Sequence, residues 1–554
     1  MKKYLIIVFC SVALFTVSCK KEKLNLINPN SPTPTASLAT EAGITNFALG
    51  IVQKQLANIL NAGVSNTLVI AMTHHSIMGD ELFMPYGNYG ARWSNQVYKI
   101  TLPNGTVVTN PFGVTQLESL QGFNSRAAGD RNVFQYEWDF AYFYIAQANT
   151  LLQALDNPAL AFTGDAATKK GLLRAWALWW KGYAYSRLGS IYLSALIYNQ
   201  TSFNPTGEFV GHDAIIAEAN RVFDLCTTTL NGLSANSDYN TLFKAITPSY
   251  NYSETDKAGV VTPDMWKRQI NTMKARNLLA NKKVSAMTTA DWTAITSLTS
   301  NGVQASDNVF KQGQTPDGNN DVSGSFFHPY TLVGDFTEFT FVSERLIQEF
   351  KTGDARLNKN FYNTYGLYAP GTYEYPPNIR SRGLQFGTRW SVKNIEDGGT
   401  YATDNNLGLV PVAGTYEENV LMAAEALLRT NQINPGLQLV DQVRTYQQSG
   451  LPAVANTGLT QAAALEELRR ERRVALFLRG VAFYDARRLG ITAPASQGGG
   501  RANAMVFLPK ALFGGTQDDV RPCFMEYNYV DYFDVPQNEI DFNAPKPGAA
   551  PVKN

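Results

Sequence analysis

The chain has 554 residues, and its 47 basic and 46 acidic side chains leave a formal net charge of +1. That balance excludes the concentrated basic face that nucleic-acid binding requires. Charged residues make up only 17% of the chain, against 30 Phe, 27 Tyr and 8 Trp, which suits a large buried core and a surface that handles polar, neutral ligands.

The first element predicted is an export signal. Lys2-Lys3 precede one apolar run, Tyr4 to Phe15, too short for the roughly 20 residues that span a bilayer. Small and polar residues follow, and Ser18-Cys19 resembles the cleavage point of a bacterial lipoprotein signal, although Thr16 stands where Leu is usual. The resemblance implies that the Cys19 thiol is lipidated and becomes the first residue of the mature chain. Loss of residues 1–18 removes Lys2 and Lys3, leaving 45 basic against 46 acidic residues and a net charge of −1. Lys20-Lys21-Glu22-Lys23 and the segment containing Asn28-Pro29-Asn30-Ser31-Pro32 favour solvated, extended chain. The expected division is a signal peptide over 1–18, lipidated Cys and flexible tether over 19–40, and a single body over 41–554.

Within the body, apolar spacing predicts helices over 41–72 and 137–155, the latter striped by Ala141, Tyr144, Ile145, Ala148, Leu151, Leu152 and Leu155. Residues 169–193 are apolar nearly all round, through Trp176, Trp179, Trp180 and Tyr183, and such a helix belongs in the core. Further helices are expected over 214–230, 265–280, 290–298 and 343–350. A pair follows over 415–446, in which Asn434 reads as an N-cap and Pro435 as the first helical residue. The stretches 76–135, 232–262, 301–340, 352–412 and 491–530 have no periodicity. They read as long loops carried on a helical scaffold. The fold class is mainly α, a tetratricopeptide-like scaffold with long irregular insertions. Cys226 falls in a helical pattern and Cys523 in a loop; a disulfide and two buried free thiols both fit.

A specific resemblance rests on five segments in order. Leu468 to Gly490, with Glu471-Arg472, Phe477, Gly480, Asp485 and Arg488-Leu489-Gly490, resembles the signature helix of the SusD/RagB family. Trp266-Lys267 through Arg276, Gly353-Asp354-Ala355-Arg356, Ala423-Ala424-Glu425-Ala426 with Val443-Arg444, and Pro536 through Ile540 resemble its other motifs. Ala475, Arg479 and Ala482 stand where that family usually has Glu, Glu and Arg, so Arg479 needs an acidic partner or solvent. The resemblance implies a binding protein on the outer membrane of Bacteroidetes that caps a SusC-type TonB-dependent transporter. Such proteins capture glycans, or in some members peptides, and perform no chemistry. Lys20-Lys21-Glu22-Lys23 is less acidic than the segment after the lipidated Cys that is linked to surface display, so outward and periplasmic anchoring both stand.

The residues agree with a binder. The chain carries no G-x-S-x-G, H-E-x-x-H, P-loop or Rossmann pattern, and no catalytic residue or cofactor is assigned. Paired glycosidase carboxylates have no fixed spacing, and they remain the enzymatic alternative. A structural surface lipoprotein is the other alternative. His74 and His75 stand near Asp80 and Glu81, yet adjacent helical residues point about 100° apart, and no metal site is assigned. Ligand contact is expected from the loop 83–96, through Tyr86, Tyr89, Arg92, Trp93 and Asn95, and from a second loop through Tyr365 and Tyr368. Rings there would stack on sugar faces while amides and guanidinium groups bind hydroxyls. Tyr250-Asn251-Tyr252 is a weaker third candidate. Glu471, Arg472 and Asp485 read as structural.

Overall fold

The computed structural model describes residues 37–53, 67–84, 87–110, 113–202, 204–247, 259–313, 341–363, 388–401 and 409–554. The expected export signal, Cys19 and the expected tether as far as residue 36 lie outside these, as does Tyr250-Asn251-Tyr252.

Helices carry the body: α1 (Glu41–Gln53), α2 (Thr67–Met78), α3 (Val133–Leu155), α4 (Ala166–Ile191), α5 (His212–Leu230), α6 (Ser237–Ile246), α7 (Pro263–Ala280), α8 (Thr289–Thr299), α9 (Tyr416–Arg429), α10 (Ile433–Tyr446), α11 (Gln461–Ala475) and α12 (Ala482–Arg488). Their starts follow local chemistry. Asn132 caps α3, Asp165 caps α4, Thr262 caps α7 with Pro263 in the first turn, and Thr460 caps α11; each side-chain oxygen satisfies a backbone N–H that has no helical partner. Consecutive helices pack as pairs, α3 on α4, α4 on α5, α7 on α8 and α9 on α10, which is the tetratricopeptide-like arrangement expected from the sequence.

The core centres on α4. Trp176, Trp179, Trp180 and Tyr183 are all buried. Phe310, from the segment after α8, sits among them with ring centroids 4.5 Å from Trp179 and 5.1 Å from Trp266. At Gly182 a Cβ would lie 2.7 Å from the Phe223 ring on α5, so the missing side chain sets how closely the two helices approach.

Several expectations need correction. The 415–446 pair is present, but its second helix starts at Ile433 with Gln432 at the N-cap, so Asn434 and Pro435 already lie inside the first turn. The signature segment is two helices. It leaves helical geometry after Ala475, passes Leu478 (φ 57°) and Gly480 (φ 70°), and restarts at Ala482. Over 343–350 only Glu344–Ile347 is helical. The stretch 232–262 contains α6, and 491–530 contains a hairpin of eight-residue strands, Arg501–Leu508 and Asp519–Glu526. That hairpin extends onto Lys99–Thr101 and Val107–Thr109 to form an antiparallel four-stranded sheet. Cys523 therefore lies in a strand. Both Cys226 and Cys523 are buried free thiols, each donating its S–H to a backbone carbonyl, that of Ala175 and that of Ala504.

Candidate functional site

A second four-stranded sheet organises the loops expected to hold ligand. Its strands are β1 (Leu82–Phe83), β2 (Phe341–Val342), β3 (Phe361–Asn363) and β4 (Trp390–Val392), in the order β1-β2-β4-β3. Leu82 faces Val342, Val342 faces Trp390, and Trp390 faces Asn363. All neighbours are antiparallel, so the chain leaves β1 at Phe83 and β3 at Asn363 from opposite ends of the sheet. Sequence put the 83–96 loop and the Tyr365/Tyr368 loop on separate insertions; the structure roots both in one sheet. Tyr86, Tyr365 and Tyr368 lie outside the described residues.

Past the sheet, the first loop is held from below. Tyr89 takes φ 53° and Gly90 φ 72°, and a Cβ at Gly90 would come within 2.5 Å of Val133 and 2.7 Å of the Arg131 carbonyl. Only glycine fits such a turn against α3. His74 donates a ring N–H to the Tyr89 carbonyl at 2.9 Å. Burial lowers the His74 pKa to about 4, so its ring is neutral there. Its neighbour His75 turns instead toward Glu137, at 3.3 Å. Tyr89 is buried with its ring against Tyr136; burial and the nearby Asp130 push its hydroxyl up to about 12. Asn95 is buried too and accepts a 3.0 Å hydrogen bond from the Tyr529 hydroxyl. Both side chains fasten the loop.

Arg92 and Trp93 are half-buried and lie toward the surface. The Arg92 guanidinium stands 4.2 Å from the centre of the Trp93 ring, and Trp93 packs on Phe123 at 4.4 Å. Arg131 covers Phe123 at 5.0 Å. These four side chains make a patch in which guanidinium groups flank two aromatic rings, an arrangement of cation–π pairs. A further pair of this kind joins Arg126 to Phe542, whose ring is exposed and lies 4.9 Å from the guanidinium. The patch offers apolar ring area beside fixed donors, which can hold an uncharged polyhydroxylated ligand. Phe123 and Arg131 were not singled out from sequence. Thr115 and Glu118 form a capping box on Gln116–Gly122, and that T-x-x-E spacing was a legible signal that a helix delivers Phe123 there.

The motif segments converge elsewhere, on buried ion pairs. Glu471 on α11 accepts from Arg356 at 2.5 Å and from Arg444 at 2.8 Å, and Asp354 pairs with Arg356 at 2.8 Å. Glu425 on α9 binds Arg488 on α12 at 2.7 Å, and Asp485 bridges Arg472 and Arg488 at 2.8 and 2.7 Å. Arg276 on α7 pairs with Glu418 on α9. Arg479 finds its acidic partners in Glu417 at 2.9 Å and Glu396 at 3.3 Å. Burial and the adjacent Glu417 raise Glu396 to about 7. The recognisable sequence signature is thus a set of buried ion-pair clusters contributed by α7, α9, α10, α11 and α12. It fixes the scaffold.

The sequence pattern of the SusD family matches residues 265–547, just over half of the chain. No curated protein matches it. Among solved structures, it resembles a SusD-like carbohydrate binding protein from Bacteroides vulgatus ATCC 8482, with a TM-score of 0.57 and 15% identity over 92% of this chain and 98% of that one. A SusD-like carbohydrate binding protein from Bacteroides fragilis NCTC 9343 superposes equally well, with a TM-score of 0.57 and 14% identity over 92% and 99%. Surface glycan-binding protein A from Bacteroides thetaiotaomicron, solved with laminarihexaose, gives 0.51 and 12% over 91% and 98%. These likenesses establish the fold along the length of the body, and the matched motifs establish the kinship: the chain belongs to the SusD family.

Proposed function

We propose that this protein captures a glycan at the bacterial cell surface and delivers it to a SusC-type TonB-dependent transporter, without acting on it chemically. In this reading a lipid on Cys19 anchors it to the outer membrane, the tether through residue 40 spaces it from the bilayer, and residues 41–554 act as one binding body. The observation that carries the reading is the surface patch of Trp93 and Phe123 flanked by Arg92 and Arg131, on a chain of the SusD family. The likeness to a surface glycan-binding protein solved with laminarihexaose lends support. Electrostatics add to it, because the carboxylates of the motif segments are committed to buried arginines.

Affinity electrophoresis of residues 20–554 through a panel of polysaccharides tests the proposal, with Trp93→Ala alongside. Retardation by one glycan, lost in the variant, is expected. Migration unaffected by every glycan would overturn glycan capture and favour a peptide ligand or a lid without one.

A further inference from the structure

Between α11, α12 and the end of α9 lies a cleft of about 240 Å³ that shares no residue with the aromatic patch. Its walls carry more guanidinium groups than the acids around it neutralise. On one side Glu349 is shared among four arginines: Arg469 at 2.8 Å, Arg501 at 3.0 Å, Arg473 at 3.4 Å and, outside the cleft lining, Arg470 at 3.9 Å. Exposed Glu466 gives Arg469 a second contact at 2.7 Å. On the other side Glu425 and Asp485 are divided among Arg472, Arg488 and Arg429, the last reached only at 3.5 Å. Six arginines line the cleft against three lining carboxylates, with Glu349 behind them as the fourth, an excess of two positive charges. Asp80 also lies near Arg473 and Arg501 but is paired directly with Arg345 at 2.9 Å, and burial raises the neighbouring Glu81 to about 7, so each offsets the excess only in part.

The donors bear out the imbalance. Arg472, Arg473 and Arg501 are each more than nine-tenths buried. Nη1 of Arg472 and Nε of Arg501 and of Arg429 make no hydrogen bond within the protein. Burial and the neighbouring Arg501 hold the Arg473 guanidinium below its ordinary pKa, the response of a cation short of counter-charge. Buried guanidinium donors without acceptors are costly, and their fork geometry matches an oxyanion.

We propose that this cleft binds an oxyanion carried by a small ligand, of the sulfate, phosphate or carboxylate type. The site is independent of the aromatic patch, so either can fail without the other. Isothermal titration of residues 20–554 with inorganic sulfate, inorganic phosphate and glucuronate, at fixed ionic strength in chloride, tests it. One saturable site is expected for at least one probe. Glucuronate alone would point to an acidic sugar, and sulfate or phosphate to an ester of either. Arg501→Gln should abolish binding. Ala462→Glu places a carboxylate at the exposed mouth of the cleft and in the first turn of α11, where an acid is tolerated; it should weaken binding about tenfold or more. No saturable heat with any probe, or unchanged binding in a folded Ala462→Glu variant, would overturn the proposal.

Discussion

At the scale of single residues, charge placement decides most of what can be measured. Asp139 on α3 is partly buried, and burial together with the nearby Glu539 raises its carboxyl to about 7. Folded protein therefore keeps this proton up to pH about 7, whereas the unfolded chain releases it near pH 4. The native state binds more protons across that window, so the contribution of Asp139 to stability is full below pH 4 and is lost as pH rises through about 7. An amide at this position cannot ionise. The melting temperature of Asp139→Asn relative to the parent should therefore climb between pH 5 and pH 8, and a constant offset across that range would refute the assignment. Residue-scale legibility was uneven. Arg479 could be flagged as a cation in need of an acid, but only folding shows that the acids are Glu417 and Glu396, from segments more than 60 positions away. Likewise the composition of 83–96 marked the loop, while the inward turn of Tyr89 and Asn95 depends on α3 and Tyr529, which no local pattern encodes.

At the scale of elements, helices with a strong apolar stripe were readable and short or strained ones were not. The α4 helix was evident because its apolar residues encircle it, and α9 and α10 because theirs do not. The signature segment reads as one helix since Leu476, Phe477, Leu478 and Val481 sustain apolar spacing across the break; positive φ at Leu478 and Gly480 interrupts it all the same. The 501–526 hairpin escaped notice because its outward positions mix Asn, Arg and Glu with Pro522 and hide the alternation. The most extensive helix–helix contact is between α4 and α5. Gly182→Ala forces a methyl against Phe223, at 2.7 Å before relaxation, and should cost about 1–3 kcal/mol by overpacking. Chemical denaturation would read this as a lower midpoint at unchanged slope. A variant as stable as the parent would show that α5 shifts freely, contrary to the packing described.

At the scale of the molecule, the scaffold and the binding face have different origins. Motif residues from α7, α9, α10, α11 and α12 build several buried ion-pair clusters, so what makes the family recognisable is what holds the helices together. Removing one partner of such a pair leaves an uncompensated buried charge, which explains why motif residues spread over 200 positions meet. The proposed ligand face sits elsewhere, on chain rooted in the sheet of β1 to β4 and on the patch of Trp93 and Phe123. Its ligand chemistry is set by loop geometry, so it was legible as a region and not as individual residues. The most direct measurement is isothermal titration of the retained glycan's oligosaccharides against the parent, Trp93→Ala and Phe123→Ala. Glycan capture at this patch predicts that each ring deletion weakens binding about tenfold or more, from lost stacking area, with melting temperature little changed. Equal affinity in all three proteins would contradict it.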